Sequence, residues 1–372
     1  MAGRLTLPSA TLGTSSPQGG DGKEIMDSRV IIYCFTGTGN AACLARSAAD
    51  ALDRRGVRAT VSPIEDLRVD PAHGDAPLIG LVSPVLGFGL PRNVAAFLRR
   101  LPPGRGQKAF VIISMGNTET ISLGSHRWNV PPTEGIAIRQ ALNLLNRKGY
   151  DVIRAEAFEM PTNWILAINP PPPARAASLT VRNIGRLETF MDKFARGERY
   201  HQLVRPLYVI PLGLVYSLFA LIGRRYSGKW FFADELCNGC KQCFSQCPQG
   251  TIKWRNNRPV WRWNCLQCFR CINLCPRSAI QVSGLAIIAT VAPVFFAGYC
   301  YRHTLGTLLS HGWALPGHVA CYFLISFIMV DMLHRLQCLP MTGRFIPRWP
   351  LTKNRTRYRE PEFTPPERSR SA

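Results

Sequence analysis

Five apolar runs punctuate the first half of the chain: Val30–Phe35, Thr60–Ile64, Pro77–Val85, Lys108–Met115 and Asp151–Met160. Between them stand stretches with helical spacing, Ala41–Arg55, Asn93–Arg100 and Glu134–Lys148, the last closed by Gly149. Continuous apolar runs suit strands covered on both faces, and strands alternating with helices predict a doubly wound parallel sheet. The run Asn169-Pro170-Pro171-Pro172-Pro173 then breaks the pattern, and a basic helix is predicted from Ala174 to about Arg196. Residues 206–223 carry no charge but hold Pro206, Pro211, Gly213 and Gly223, which reads as a buried or interfacial connector. Two later stretches, 284–301 and 312–330, contain no Asp, Glu, Lys or Arg. Each approaches the ~20 residues that span a bilayer as helix, and together they predict a helical hairpin over 283–335. The alternative is a pair of core helices.

Composition changes the picture in two ways. Lys and Arg total 45 against 23 Asp and Glu, a formal balance of +22. Such an excess points to an anionic partner: nucleic acid, lipid headgroups or an acidic protein. Both flanks of the hairpin are basic, which places its two ends on the cytoplasmic side. The chain also has 13 Cys, eight of them in two tight runs, unlike the scattered Cys of a secreted disulfide scaffold.

Those runs read CNGCKQCFSQCP from Cys237 and CLQCFRCINLCP from Cys265, a repeat at an offset of 28 residues. Each is C-x2-C-x2-C-x3-C-P, the spacing of bacterial ferredoxins with two 4Fe-4S clusters, in which the fourth Cys serves the other cluster. One cluster would take Cys237, Cys240, Cys243 and Cys275, and the other Cys265, Cys268, Cys271 and Cys247. The competing reading is structural zinc, which favours two Cys pairs divided by a longer spacer. The module, 229–282, resembles a bacterial two-cluster ferredoxin. Two oxidised clusters, each about −2 with its thiolates, would offset part of the basic excess.

Between the first strand and helix lies Thr36-Gly37-Thr38-Gly39-Asn40. Backbone N–H groups and two hydroxyls at a helix N-terminus can cradle a phosphate. The loop has neither the Lys of a Walker sequence nor the G-x-G-x-x-G of dinucleotide sites. It resembles the phosphate loop of flavodoxins, which bind FMN where the strand order reverses. The resemblance extends to Pro84, Val85, Leu86, Gly87, Phe88 and Gly89 after the third strand and to Met115, Gly116 and Asn117 after the fourth, the places of the two ring-contacting loops. Two departures stand out. Ala41 replaces the usual Thr or Ser, and the aromatic often found near Leu86 is absent, which leaves ring stacking to Phe88 or to no residue. Met160-Pro161-Thr162-Asn163-Trp164 is similar to a segment of flavodoxin–ferredoxin fusion proteins, and the domain order from 29 to 282 resembles that family.

The expected organisation is a disordered leader (1–28), a flavodoxin-like α/β domain (29–168), a Pro-rich linker, helix and apolar connector (169–228), a small α+β ferredoxin module (229–282), a transmembrane helical hairpin (283–335) and a basic disordered tail (336–372). The leader has no apolar stretch fit for a signal peptide, so the folded parts are expected on the cytoplasmic side of the cell (inner) membrane, or soluble in the cytoplasm. A spanning connector would separate domains that must exchange electrons, which is why 206–223 is read as non-spanning. The implied function is oxidoreductase-type electron transfer between FMN and two 4Fe-4S clusters, with a redox protein and membrane lipid as partners. The alternative is a membrane-associated reductase with its own small-molecule or quinone substrate. No acid/base or nucleophile motif nominates catalytic residues, and no recognition module supports nucleic-acid binding.

Overall fold

The computed structural model describes residues 29–65, 78–116, 121–123, 126–128, 133–293 with 295 and 299, 314–339 and 349–366. The leader lies outside them. The first domain runs β1 (Arg29–Cys34), α1 (Asn40–Asp53), β2 (Arg58–Pro63), β3 (Leu78–Pro84), α2 (Arg92–Arg100), β4 (Lys108–Gly116), a short β5–β6 hairpin (Ile121–Leu123, His126–Trp128), α3 (Ala137–Arg147) and β7 (Asp151–Met160). Then come α4 (Pro173–Ala195) and β8 (Tyr200–His201). The sheet order is β2-β1-β3-β4-β7-β8, with every neighbouring pair parallel. Apart from the edge strand, that is the flavodoxin-like order, which reverses between β1 and β3.

The apolar runs explain the two cores. One face of the sheet packs on α1 and α4, where Phe110 meets the rings of Phe190 and Phe194. The other packs on α2 and α3 and takes in Leu266 from the cysteine-rich module. Burial on both faces is why these strands read as unbroken apolar runs.

The cysteine-rich module is built of two short antiparallel pairs and two single-turn helices. β9 (Phe231–Ala233) pairs with β12 (Ile280–Val282), and β10 (Ile252–Arg255) with β11 (Arg258–Trp261). The helices are α6 (Gln242–Ser245) and α7 (Arg270–Asn273). The sequence repeat is also a conformational one. The backbone turns left-handed at Gly239, Lys241 and Gly250, and again 28 residues on at Gln267, Phe269 and Ser278.

The connector is helical. α5 (Pro206–Leu218) continues through a π turn at Phe219–Gly223 to Ser227. Pro206 opens it, where a missing N–H costs nothing, and Pro211 is accommodated inside. Leu212 is buried, and Tyr216 and Phe219 lie against Gly89 and Gly87. Leu207, Ile210, Leu214, Leu218 and Leu221, spaced along one stripe, are exposed. Of the expected hairpin, α8 (Gly284–Val291) and α9 (Ala314–Gln337) are described. They meet where the Tyr322 hydroxyl donates to the Thr290 carbonyl, 3.0 Å. The last turns of α9 dock into the ferredoxin module. There His334 accepts from the Trp261 N–H at 3.2 Å, and Gln337 donates to Ser283 Oγ at 3.0 Å.

The sequence predicts a disordered tail over 336–372, but residues 349–366 form an ordered strap. Leu351 N–H donates to the Val282 carbonyl at 2.9 Å, Tyr358 N–H to Asn273 Oδ1 at 3.0 Å, and Glu360 N–H to the Thr38 carbonyl at 2.9 Å. Glu360 also pairs with Arg46 at 3.1 Å, and Phe363 is buried beneath the phosphate-type loop. A basic, polar, Pro-containing sequence reads as disorder; the strap instead docks through backbone bonds, the Glu360–Arg46 pair and the buried Phe363 ring. Phe363→Ala should therefore destabilise the folded chain by about 3 kcal/mol, the usual cost of emptying a buried phenyl site. Urea unfolding of the variant beside the unaltered chain measures this.

Candidate functional site

Two cavities lie within the cysteine-rich module. One is lined by Cys237, Cys240, Cys243 and Cys275. The other is lined by Cys247, Cys265, Cys268 and Cys271. The partition is the one the exchanged fourth ligand demands: each run contributes three Cys to one cavity and its last Cys to the other. Four thiols around each of two cavities, with the last Cys of each run exchanged, are a donor set that fits 4Fe-4S clusters.

Backbone donors repeat with the ligands. Thr251 N–H donates to Cys247 Sγ and, 28 residues on, Ala279 N–H donates to Cys275 Sγ, both at 3.3 Å. Such bonds favour the more negative state of a cluster. Burial pushes the Cys243 thiol up to about 12 and the Cys268 thiol up to about 11, the latter held down in part by Arg270. Thiolates in these positions therefore depend on bound iron for their charge balance.

A third cavity opens at the carboxyl ends of β1, β3 and β4, where the strand order reverses. Thr36, Gly37, Thr38, Asn40, Pro84, Val85, Leu86, Met115 and Gly116 line it, as the sequence proposes. Ala41, Ser114, Pro161, Asn163 and Cys268 line it too and were not nominated. Pro161 and Asn163 were legible as part of the 160–164 segment; Cys268 was not, since nothing in sequence tells which cluster loop meets the flavodoxin-like domain.

The donor set of this cavity fits a phosphate carried on a polyol. Thr36 Oγ1 accepts from Gly39 N–H at 3.1 Å and Thr38 Oγ1 accepts from Asn163 Nδ2 at 2.9 Å, so each hydroxyl keeps its hydrogen to donate. α1 starts at Asn40 with no acidic residue in its first turn, which suits an anion at its N-terminus. Asn40 Nδ2 donates to the Pro161 carbonyl at 2.8 Å, while its buried Oδ1 has no partner among the described residues and suits a ligand hydroxyl.

Four nominated positions do not line the cavity. Gly39 is strained for any other residue at φ 111°, and a Cβ there would lie 2.5 Å from Glu360 Cβ, on the strap. Gly87 and Gly89 face α5, where a Cβ would lie 2.2 Å from the Phe219 ring and 2.3 Å from the Tyr216 ring. Phe88 is held in a turn at φ 66°, its carbonyl accepting from Ile136 N–H. Asn117 lies outside the described residues.

The flavodoxin-like domain and the ferredoxin module meet through one buried cation. Arg270, 1% exposed, donates through Nε to the Gly37 carbonyl at 2.9 Å and through Nη2 to the Thr36 carbonyl. Its Nη1 reaches the Gln246 carbonyl at 3.1 Å and Glu65 Oε2 at 2.7 Å, and Nη2 pairs with Glu65 Oε1. Asn273 adds a second link, donating to the Asn163 carbonyl at 3.1 Å. Arg270→Ala would strand the Glu65 carboxylate, and breaking a buried pair of this kind costs about 3–5 kcal/mol. Arg270→Lys should rescue little of it, because an ammonium cannot make the forked contacts. Chemical denaturation of both variants tests the difference.

Residues 229–276 match the 4Fe-4S dicluster domain family. No curated protein matches the chain. Among solved structures, flavodoxin 1 from Bacillus cereus is 18% identical, covering 45% of this chain and 97% of its own, with a TM-score of 0.32. The Streptococcus pneumoniae TIGR4 flavodoxin is 17% identical, covering 45% and 96%, with a TM-score of 0.30. The Flv1 flavodiiron core from Synechocystis sp. PCC6803 is 18% identical, with a TM-score of 0.30; the match covers 47% of this chain but only 38% of that one. By its own strand order and the matched segment, the chain places an α/β domain of flavodoxin-like strand order before a 4Fe-4S dicluster domain.

Proposed function

We propose that the chain transfers electrons between FMN, held at the carboxyl ends of β1, β3 and β4, and two 4Fe-4S clusters, each held by one of the two cysteine sets. The observation that carries this reading is that Cys268 lines both the third cavity and a cysteine cavity. FMN, when bound, supplies electron exchange in pairs or singly, whereas a 4Fe-4S cluster exchanges them one at a time. Thr36, Thr38 and the N-terminus of α1 would hold the phosphate, and Asn40 would accept from a sugar-alcohol hydroxyl. Pro84–Leu86 and Ser114–Gly116 would bracket the ring. Arg270 and Asn273 keep the two domains in register.

Membrane attachment is part of the proposal. The helices Pro206–Trp230 and Val319–Gln337, with mean hydropathy 1.9 and 1.6, are long and apolar enough to cross a bilayer by length and composition. α5, however, rests one face on the 87–90 loop, which favours a helix lying in the interface with its exposed stripe toward lipid. The basic residues nearby, Arg205, Arg224 and Arg225, suit the anionic cytoplasmic leaflet. The hairpin that ends in α9 would supply the span.

Anaerobically loaded protein should contain about eight iron and eight sulfide per chain, as two cubanes require, together with bound FMN. Metal, sulfide and flavin analysis checks this; stoichiometric zinc without iron would refute the cluster half. In cell fractionation the full chain should stay with membranes through a high-salt wash and leave in detergent. Leu214→Glu combined with Leu218→Glu should weaken binding of the detergent-solubilised chain to anionic vesicles. Recovery of the intact chain as a soluble protein would overturn membrane attachment.

A further inference from the structure

The two cysteine sets differ in their surroundings, and the difference assigns them different tasks. The set Cys247, Cys265, Cys268 and Cys271 adjoins the flavodoxin-like domain. Cys268 lines the third cavity, and a Cβ on Gly37 would lie 2.7 Å from the Cys268 carbonyl oxygen. Arg270, which lines the same cysteine cavity, bonds to the Thr36 and Gly37 carbonyls. Every residue lining the other cavity falls between Cys237 and Ile280. Cys240, on that cavity, is exposed, whereas the other seven ligand positions are partly buried. Lys241 and Arg277 line that cavity and are exposed; Lys253 and Arg255, also exposed, flank its lining residue Trp254 on β10. Lys241 Nζ lies 6.0 Å from the Trp254 ring.

Resting on the function proposed above, we infer that Cys247, Cys265, Cys268 and Cys271 hold the inner cluster, which exchanges electrons with the flavin. Cys237, Cys240, Cys243 and Cys275 hold the outer cluster, which exchanges them with an acidic one-electron redox protein docked on the rim of Lys241, Lys253, Arg255 and Arg277. Charge complementarity selects the partner, since four exposed cations around one exit point attract a negative surface and speed its encounter. The electron count closes at each step. One electron leaves the reduced flavin and reduces the inner cluster by one. The same electron then reoxidises the inner cluster by moving to the outer one. The outer cluster returns to its oxidised state when the docked protein is reduced by one. The reverse sequence balances equally.

The test uses the full chain in detergent, loaded anaerobically with iron, sulfide and FMN. After photochemical reduction of the flavin, cluster bleaching is followed in the visible range. In Cys265→Ser, the outer cluster should remain reducible by dithionite, yet bleaching driven by the flavin should be lost. In Cys240→Ser, the remaining cluster should still bleach. The opposite pair of results overturns the order. If either variant loses all its iron, the unaltered chain decides by electron paramagnetic resonance. The cluster signal magnetically coupled to the flavin should be the one less broadened by a soluble paramagnetic ion; if it is the more broadened one, the order is wrong. For the rim, an acidic plant-type [2Fe-2S] ferredoxin serves as probe. Its electron exchange with the chain should fall about tenfold or more as salt is raised, as steered encounters do. Lys253→Glu with Arg255→Glu should abolish that salt dependence while iron content stays unchanged. Unchanged exchange in the double variant, or a loss of binding to anionic vesicles instead, overturns the docking assignment. An unaltered chain that holds no flavin, or only one cluster, fails at the proposed function itself and takes this inference with it.

Discussion

A guanidinium buried at the boundary between two domains governs the geometry of this protein. Arg270 sits two residues beyond Cys268 and one before Cys271, yet most of its bonds are made to the flavodoxin-like domain: the Thr36 and Gly37 carbonyls and the Glu65 carboxylate. Burying a charge is expensive unless its hydrogens are taken up. Here the carboxylate and three carbonyls, including that of Gln246, take them up. Once these bonds form, the phosphate-type loop and the Cys265–Cys271 loop cannot move independently. The two sites thereby share a wall rather than facing each other across a flexible linker.

The rest of the chain reinforces that boundary. Asn163 donates to Thr38 and accepts from Asn273, which in turn accepts from Tyr358 in the strap. Glu360 and Phe363 continue the strap across the outer side of Gly39. α9 contributes His334 and Gln337 to the core of the ferredoxin module, and Thr352 accepts from the Val282 N–H at 3.0 Å. The apolar C-terminal region and the strap are consequently parts of the redox unit, as well as candidates for holding it at a membrane.

The sheet and the cysteine sets were legible because their signals are local. β1, β3, β4 and β7 are buried on both faces, so their sequences are continuous apolar runs. The eight cysteines line two cavities in the grouping that their spacing implies, and Gly37, Thr38 and Asn40 stand at a strand-to-helix turn. What failed to show in sequence depended on contacts distant along the chain. Gly39 looked like a phosphate position, but its missing side chain makes room for a strap more than 300 residues later. No local pattern shows that Tyr216 and Phe219 reach the 87–89 loop from α5. The strap itself resembled a solvated tail, since hydrogen bonds made by backbone groups leave no compositional trace.

Anomalous diffraction at the iron edge, from crystals of the anaerobically loaded full chain, tests the central claim most directly. The account predicts two compact iron sites, one within Cys247, Cys265, Cys268 and Cys271 and one within Cys237, Cys240, Cys243 and Cys275, with flavin density in the cavity that Cys268 shares. A single iron site, one metal ion in place of either cluster, or flavin bound away from Cys268 would contradict it.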